Sequence, residues 1–91
     1  MSSTENATHR VALSIGSALL DHVNPEYRAA SQQITIPDNT TVHDVLERIG
    51  LSSQGSLLIV LNDALVTRPQ LGSQLVTSGD ELSFMPPIHA G

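Results

Sequence analysis

The stretch Thr41-Val42-His43-Asp44-Val45-Leu46-Glu47-Arg48-Ile49-Gly50 carries the clearest helical signal in the chain. Val42, Val45, Leu46 and Ile49 fall at i, i+3, i+4 and i+7, so a helix over Val42–Ile49 presents one apolar stripe. Its ends are marked as well. Thr41 is a good N-cap, Asp44 three residues on is a weaker form of the capping-box acid, and Gly50 supplies the left-handed stop. One helix with one stripe needs one apolar surface to lie on, and the flanking sequence supplies strands.

Residues 10–16 alternate, with Val11, Leu13 and Ile15 on one side and Ala12, Ser14 and Gly16 on the other, the period of a half-buried strand. A second strand is predicted over 32–37, with Ile34 and Ile36 facing one way and Pro37-Asp38-Asn39 closing it. The intervening residues 17–31 read as a loop, with a short helical turn at Ala18-Leu19-Leu20 and a turn signal at Asn24-Pro25. Beyond the helix, the unbroken apolar run 57–61 suits a strand buried on both faces. Asn62-Asp63 reads as a tight turn into a short strand over 64–67. Residues 68–77 contain Pro69 and Gly72 and read as loop, pinned to the core by Leu71, Leu75 and Val76. Ser78-Gly79-Asp80 turns into a last strand, Glu81–Met85, with Leu82 and Phe84 on one side, and Pro86-Pro87 ends it by removing two backbone donors. The order β-β-α-β-β-loop-β places the chain in the α+β class, a mixed sheet of four to five strands under one main helix. The division expected is a disordered tail at 1–8, a folded domain at 9–85 and an extended tail at 86–91. The predicted core joins the helical stripe to Ile15, Ile36, Ile59 and Leu82.

Composition narrows the chemistry. The 91 residues make one small domain, and 25 of them are Leu, Val or Ile against a single Tyr and a single Phe, so the core is aliphatic. Cysteine is absent, which excludes disulfide frameworks, thiolate metal cages, iron–sulfur clusters and a cysteine nucleophile. Nine acidic residues face four arginines and no lysine, a net charge of −5 that offers no basic footprint for nucleic acid or anionic membranes. Chain building through internal lysines is likewise closed to it. No positively charged, apolar leader opens the sequence and nothing approaches the roughly 18 apolar residues of a span, so a cytoplasmic protein is expected. His9, His22 and His43 lack metal-ligand spacing and read as surface residues, and Asp38, Asp44, Glu47, Asp80 and Glu81 as caps, turns and solvated positions. No metal site and no catalytic constellation is predicted.

Three stretches together resemble the MoaD/ThiS sulfur-carrier family of ubiquitin-like β-grasp proteins. They are Thr41-Val42-His43-Asp44-Val45-Leu46, Leu61-Asn62-Asp63 where the family usually has Val-Asn-Gly, and Ser78-Gly79-Asp80-Glu81-Leu82 leading through Phe84-Met85-Pro86-Pro87-Ile88-His89-Ala90-Gly91. The double proline makes the likeness closer to the molybdopterin-synthase small subunit than to the thiamine carrier. The resemblance implies that the first and last strands lie parallel at the centre of the sheet and that the tail projects from the last one. It also implies a function. The carboxylate of Gly91 is adenylated with ATP by an E1-like adenylyltransferase of the MoeB/ThiF type and converted to a thiocarboxylate, with the sulfur then delivered to a MoaE-like large subunit or another acceptor enzyme. The chain itself binds no cofactor and is a carrier rather than an enzyme. Phe84, Met85, Pro86, Pro87, Ile88, His89 and Ala90 are the expected partner-binding residues.

The physical chemistry of the tail agrees with that role. Glycine without a Cβ threads a narrow channel, six residues reach roughly 20 Å, and prolines at 86 and 87 stiffen the root and lower the entropy lost on insertion. One departure stands out: the family ends in Gly-Gly and this chain in Ala90-Gly91. It keeps open a second reading, a ubiquitin-like interaction module whose tail is never activated. Phe84 is likewise open between a core residue and an exposed anchor.

Overall fold

A computed structural model describes residues 8–52 and 57–86. Five strands form one sheet: β1 (Thr8–Ile15), β2 (Ser31–Pro37), β3 (Leu58–Leu61), β4 (Ala64–Leu65) and β5 (Glu81–Met85), in the order β2-β1-β5-β3-β4. The α+β class and the β-grasp arrangement hold. β1 pairs antiparallel with β2 and parallel with β5, in a register that sets Leu13 beside Leu82 and Ile15 beside Phe84. β5 also pairs antiparallel with β3, which aligns Ile59 with Phe84 and Leu61 with Leu82. Thr8, which the sequence places in the N-terminal tail, is the first residue of β1.

The helix α1 spans Val42–Ile49, and its stripe is fully used: Val42, Val45, Leu46 and Ile49 are all buried with Ile15, Ile36, Ile59 and Leu82. An eight-residue helix is marginal alone, and its end groups are closed by the rest of the chain. The Thr41 hydroxyl accepts from the Asp44 N–H and the Asp44 carboxylate accepts from the Thr41 N–H, both at 3.1 Å, completing the capping box. The next donors, Val42 N–H and His43 N–H, go to the carbonyls of Gln74 (2.9 Å) and Leu71 (3.0 Å). At the far end Asn24 donates from its backbone to Ile49 O (2.8 Å) and from its side chain to Arg48 O (3.0 Å). Gly50 sits at φ +92°, and a Cβ there would lie 2.8 Å from Asn24 Oδ1, so both the backbone and the close approach require glycine.

The structure revises several expectations. The run 57–61 is not buried on both faces: Ile59 and Leu61 are buried while Leu58 and Val60 are half-buried, because one helix covers one face of the sheet. β4 stops at Leu65, although the Val66 N–H still donates to Ile59 O (2.8 Å), since Pro69 starts a 3₁₀ turn at Arg68–Gln70 that a Thr67/Gln70 box caps. Leu75 is exposed, whereas Val76 is buried and Leu71 partly so; the segment is held by backbone bonds to the helix entrance rather than by Leu75. The loop 17–31 contains two 3₁₀ turns, Ser17–His22 and Pro25–Tyr27, and contributes Leu19 and Val23 to the core. Asn62 and Asp63 take φ of 51° and 70°, the paired left-handed conformation of a two-residue hairpin turn.

Leu46 is 4% exposed, so Leu46→Asp places an unpaired charge among aliphatics and is expected to cost several kcal/mol. Phe84→Ala empties the largest fully buried side chain and is expected to cost about 3–5 kcal/mol. Urea unfolding measures both; a midpoint like the parent's for either variant contradicts the packing described.

Candidate functional site

Because β5 runs through the middle of the sheet, its alternation sorts its residues into two roles. Leu82 and Phe84 point into the core, each fully buried, while Glu81, Ser83 and Met85 lie on the face away from the helix. Phe84, one of the expected partner-binding residues, is therefore core: it holds the strand that leads to the tail and offers no surface to a partner. Met85 is 38% exposed and Pro86 is exposed. Pro87, Ile88, His89, Ala90 and Gly91 lie outside the described residues.

The register extends Met85 into a patch. Leu58 is paired with Met85, Val60 with Ser83 and Leu65 with Val60, and paired residues share a face, so Leu58, Val60, Leu65 and Met85 adjoin on the helix-free face. Leu65 is 58% exposed. Across β1 the same face turns small and polar, and Ala12, Ser14, Ser31, Glu81 and Ser83 border a shallow groove of about 210 Å³. The apolar half thus lies at the end of the sheet where β5 stops. The individual residues look unremarkable in sequence; an apolar run such as 57–61 does not say which members face outward.

At the other end of β5 the fold brings together three side chains that sequence spacing gave no sign of. His9 Nε2 is 2.9 Å from Asp38 Oδ1 and Nδ1 is 2.8 Å from Ser78 Oγ. With Nε2–H donated to the carboxylate, a neutral imidazole leaves Nδ1 to accept the Ser78 hydroxyl. A Ser-His-Asp chain performs acyl chemistry only with free donors for the oxyanion. Here the amides after Ser78 are committed, Gly79 N–H to Arg10 O and Asp80 N–H to Thr77 O, both at 3.1 Å. The set acts as a clasp joining the start of β1, the β2–α1 turn and the turn into β5. A second tie lies beside it, where Asn62 donates to the Asp80 carboxylate (2.8 Å) and accepts from the Glu81 N–H (2.9 Å). Among the described residues no cluster of His, Asp or Glu has the makings of a metal site, and no helix is long and apolar enough to cross a membrane.

A five-stranded β-grasp with a central last strand is thus followed by a proline-rooted tail, and comparison with known proteins bears on both. The model described as the ThiS family matches residues 21–91. The chain belongs to the ThiS family. Its members are ubiquitin-like sulfur carriers, in agreement with the resemblance drawn from the sequence. No curated protein matches the chain. Among solved structures, the Haloferax volcanii HVO 2177 protein superposes with a TM-score of 0.74 at 18% identity, covering 100% of this chain and 94% of that one. The putative molybdopterin converting factor subunit 1 from Pyrococcus furiosus gives 0.67 at 15% identity, covering 88% and 99%. Subunits 1 and 2 of the molybdopterin-converting factor from Helicobacter pylori, solved as a protein–protein complex, include a chain with a TM-score of 0.50 at 23% identity, covering 90% and 99%. At these identities the structures establish a shared fold for this ThiS-family chain.

The His9 clasp has a pH signature. The hydrogen bond from His9, with a lesser one from the Asn39 amide, holds the Asp38 carboxyl below its ordinary value of 3.8. A carboxylate lowered in the folded state stabilises it fully above the unfolded value, and that contribution fades as pH falls through the folded one. Urea midpoints followed from neutral pH downward are expected to fall less steeply at the acid end for Asp38→Asn than for the parent; parallel curves would show the clasp to be energetically silent.

Proposed function

We propose that this ThiS-family chain carries sulfur on the carboxylate of Gly91. An E1-like adenylyltransferase joins that carboxylate to the AMP of ATP with release of pyrophosphate, and hydrosulfide supplied by a sulfur donor then attacks the acyl carbon, forming the C–S bond of the thiocarboxylate and releasing AMP. The charged tail enters an acceptor enzyme; the sulfur bonds to the acceptor, the C–S bond of the tail is broken by water, and the water oxygen restores the carboxylate. The observation that carries this reading is the family match running to residue 91, which includes residues 86–91 in the family's domain. The fold adds a reason: β5, bonded on both sides, is a firm base for a tail that must be presented at a distance.

The role of small subunit in a molybdopterin-synthase-like enzyme is favoured by Pro86-Pro87 and by the Helicobacter pylori structure, a complex of subunits 1 and 2 of the molybdopterin-converting factor that includes a like-folded chain. In this reading the patch of Leu58, Val60, Leu65 and Met85 docks the carrier on its activating enzyme and on its large subunit, in turn, while the tail reaches the chemistry. Ala90 favours the second reading, an interaction module that uses the same patch and is never charged.

Incubation with an E1-like enzyme of the host, ATP and a sulfur donor is expected to shift the intact mass by one oxygen exchanged for one sulfur. Deletion of Gly91 abolishes the shift while leaving the melting temperature in place, and Ala90→Gly keeps or raises the rate by removing a methyl group from a tail built to thread a channel. Charging of Ala90→Gly but never of the parent would make this chain an inactivated carrier, and charging of neither would leave the interaction module. Leu65→Asp and Met85→Asp are expected to weaken association with the activating enzyme about tenfold or more at nearly unchanged stability, because both side chains are exposed apolar anchors. Unchanged association for both variants would move the docking surface elsewhere.

A further inference from the structure

β1 ends at Ile15, and the next residue continues its pairing with β5, Gly16 N–H donating to Phe84 O at 2.8 Å. Gly16 has φ −59° and ψ 143°, a conformation open to every residue, so its backbone does not call for glycine. The space around it does. A Cβ built on Gly16 would lie 3.2 Å from Pro86 Cδ, 3.5 Å from Phe84 O and 3.7 Å from Met85 Cα. The first of these distances is closer than side chains ordinarily tolerate, and the pyrrolidine ring would have to shift by a few tenths of an ångström.

We propose that Gly16 is a positioning residue for the tail: its missing side chain is the seat on which the Pro86 ring rests, and that seat sets the direction in which the chain leaves the sheet. The inference rests on the carrier reading for its functional consequence and on the Gly16–Pro86 contact for its geometry. Three properties convert a small shift at Pro86 into a large one at the reacting carboxylate. Proline fixes its own φ near −65°. Met85 and Pro86 each precede a proline, which restricts both to extended conformations. Five residues of any chain reach at most roughly 17 Å, so a tilt of about 10° at the root can move the far end by up to about 3 Å. A misplacement of about 1 Å in a reacting group costs on the order of a hundredfold in rate. Gly16 and Pro86 lie 70 positions apart in the chain, so nothing in local sequence links them; the parallel β1–β5 register, which pairs Ile15 with Phe84, does.

Two measurements test the proposal, and they fail separately. In the charging reaction, Gly16→Ala and Gly16→Val should keep the parent's KM for the activating enzyme, since an added Cβ makes only ordinary contact with the docking patch, 3.7 Å from Met85 Cα, and lower kcat about tenfold or more, Val beyond Ala. Pro86→Ala removes the seated ring and its fixed φ, so it should lower kcat by itself, and adding Gly16→Ala to it should cost little more, because the two positions act through one contact. Equal kcat for parent and Gly16→Val, or losses at positions 16 and 86 that simply multiply in the double variant, would overturn the proposal. The second measurement needs no charging. The chain has no cysteine, so His89→Cys carries a single spin label whose paramagnetic broadening of the body's amides reports where the tail points. Gly16→Val should redistribute that broadening, and in a Pro86→Ala background the same substitution should change it far less; an unaltered pattern for Gly16→Val overturns the proposal even if the parent is charged. A parent that is never charged defeats the carrier reading, and the label experiment still decides whether Gly16 aims the tail.

Discussion

The structure depends on β5 lying between β1 and β3. A strand bonded on both sides has no free edge, and the two residues it turns inward, Leu82 and Phe84, are fully buried beneath the helix. Removing it would leave two hairpin-like halves, β1–β2 and β3–β4, without a common sheet. The parallel β1–β5 pairing also explains the layout of the chain, because a parallel pair needs a long crossover and the helix, β3 and β4 all fall within it. Only after that crossover does the strand that bears the tail complete the sheet.

The helix is the second dependency. Eight residues bury one stripe, and their backbone ends would be costly if left open. Segment 71–76 closes the entrance, and Asn24, from what the sequence presents as a loop, closes the exit. The same loop lends Tyr27, whose hydroxyl accepts from Arg48 Nε at 2.8 Å, while Arg48 also donates to Thr35 O at 2.6 Å and so ties the helix to the outer strand β2. The stretch 17–31 is thus structural, with Leu19 and Val23 in the core and Asn24 at the helix end.

Function divides between the two faces and two ends of the sheet. The helix-covered face supplies stability. The open face presents Leu58, Val60, Leu65 and Met85 on the side where β5 ends, an apolar surface beside Pro86. At the opposite end, Ser78, His9 and Asp38 assemble in an order that in another setting would suggest hydrolysis, yet the neighbouring amides are already bonded and the trio fastens three segments instead. In the carrier reading proposed above, such fastenings hold the base of the strand from which the tail leaves.

The sequence by itself determined the helix, its caps, the strand faces of β1, β2 and β5 and the stop at Pro86, because these follow from local periodicity, side-chain caps and the missing donor of proline. It also carried the family, through Asn62-Asp63 and the Phe84-Met85-Pro86-Pro87 run. Only the tertiary structure decided which side of 57–61 is buried, since a continuous apolar run has no period to read, and that Phe84 is core, since both candidate roles put the same ring at the same position in the chain. The His9 clasp, the Asn24 closure of the helix and the seat of Pro86 on Gly16 were likewise beyond its reach. Each joins residues far apart in the chain, and what brings them together is strand pairing, a property of the whole sheet that no local pattern encodes.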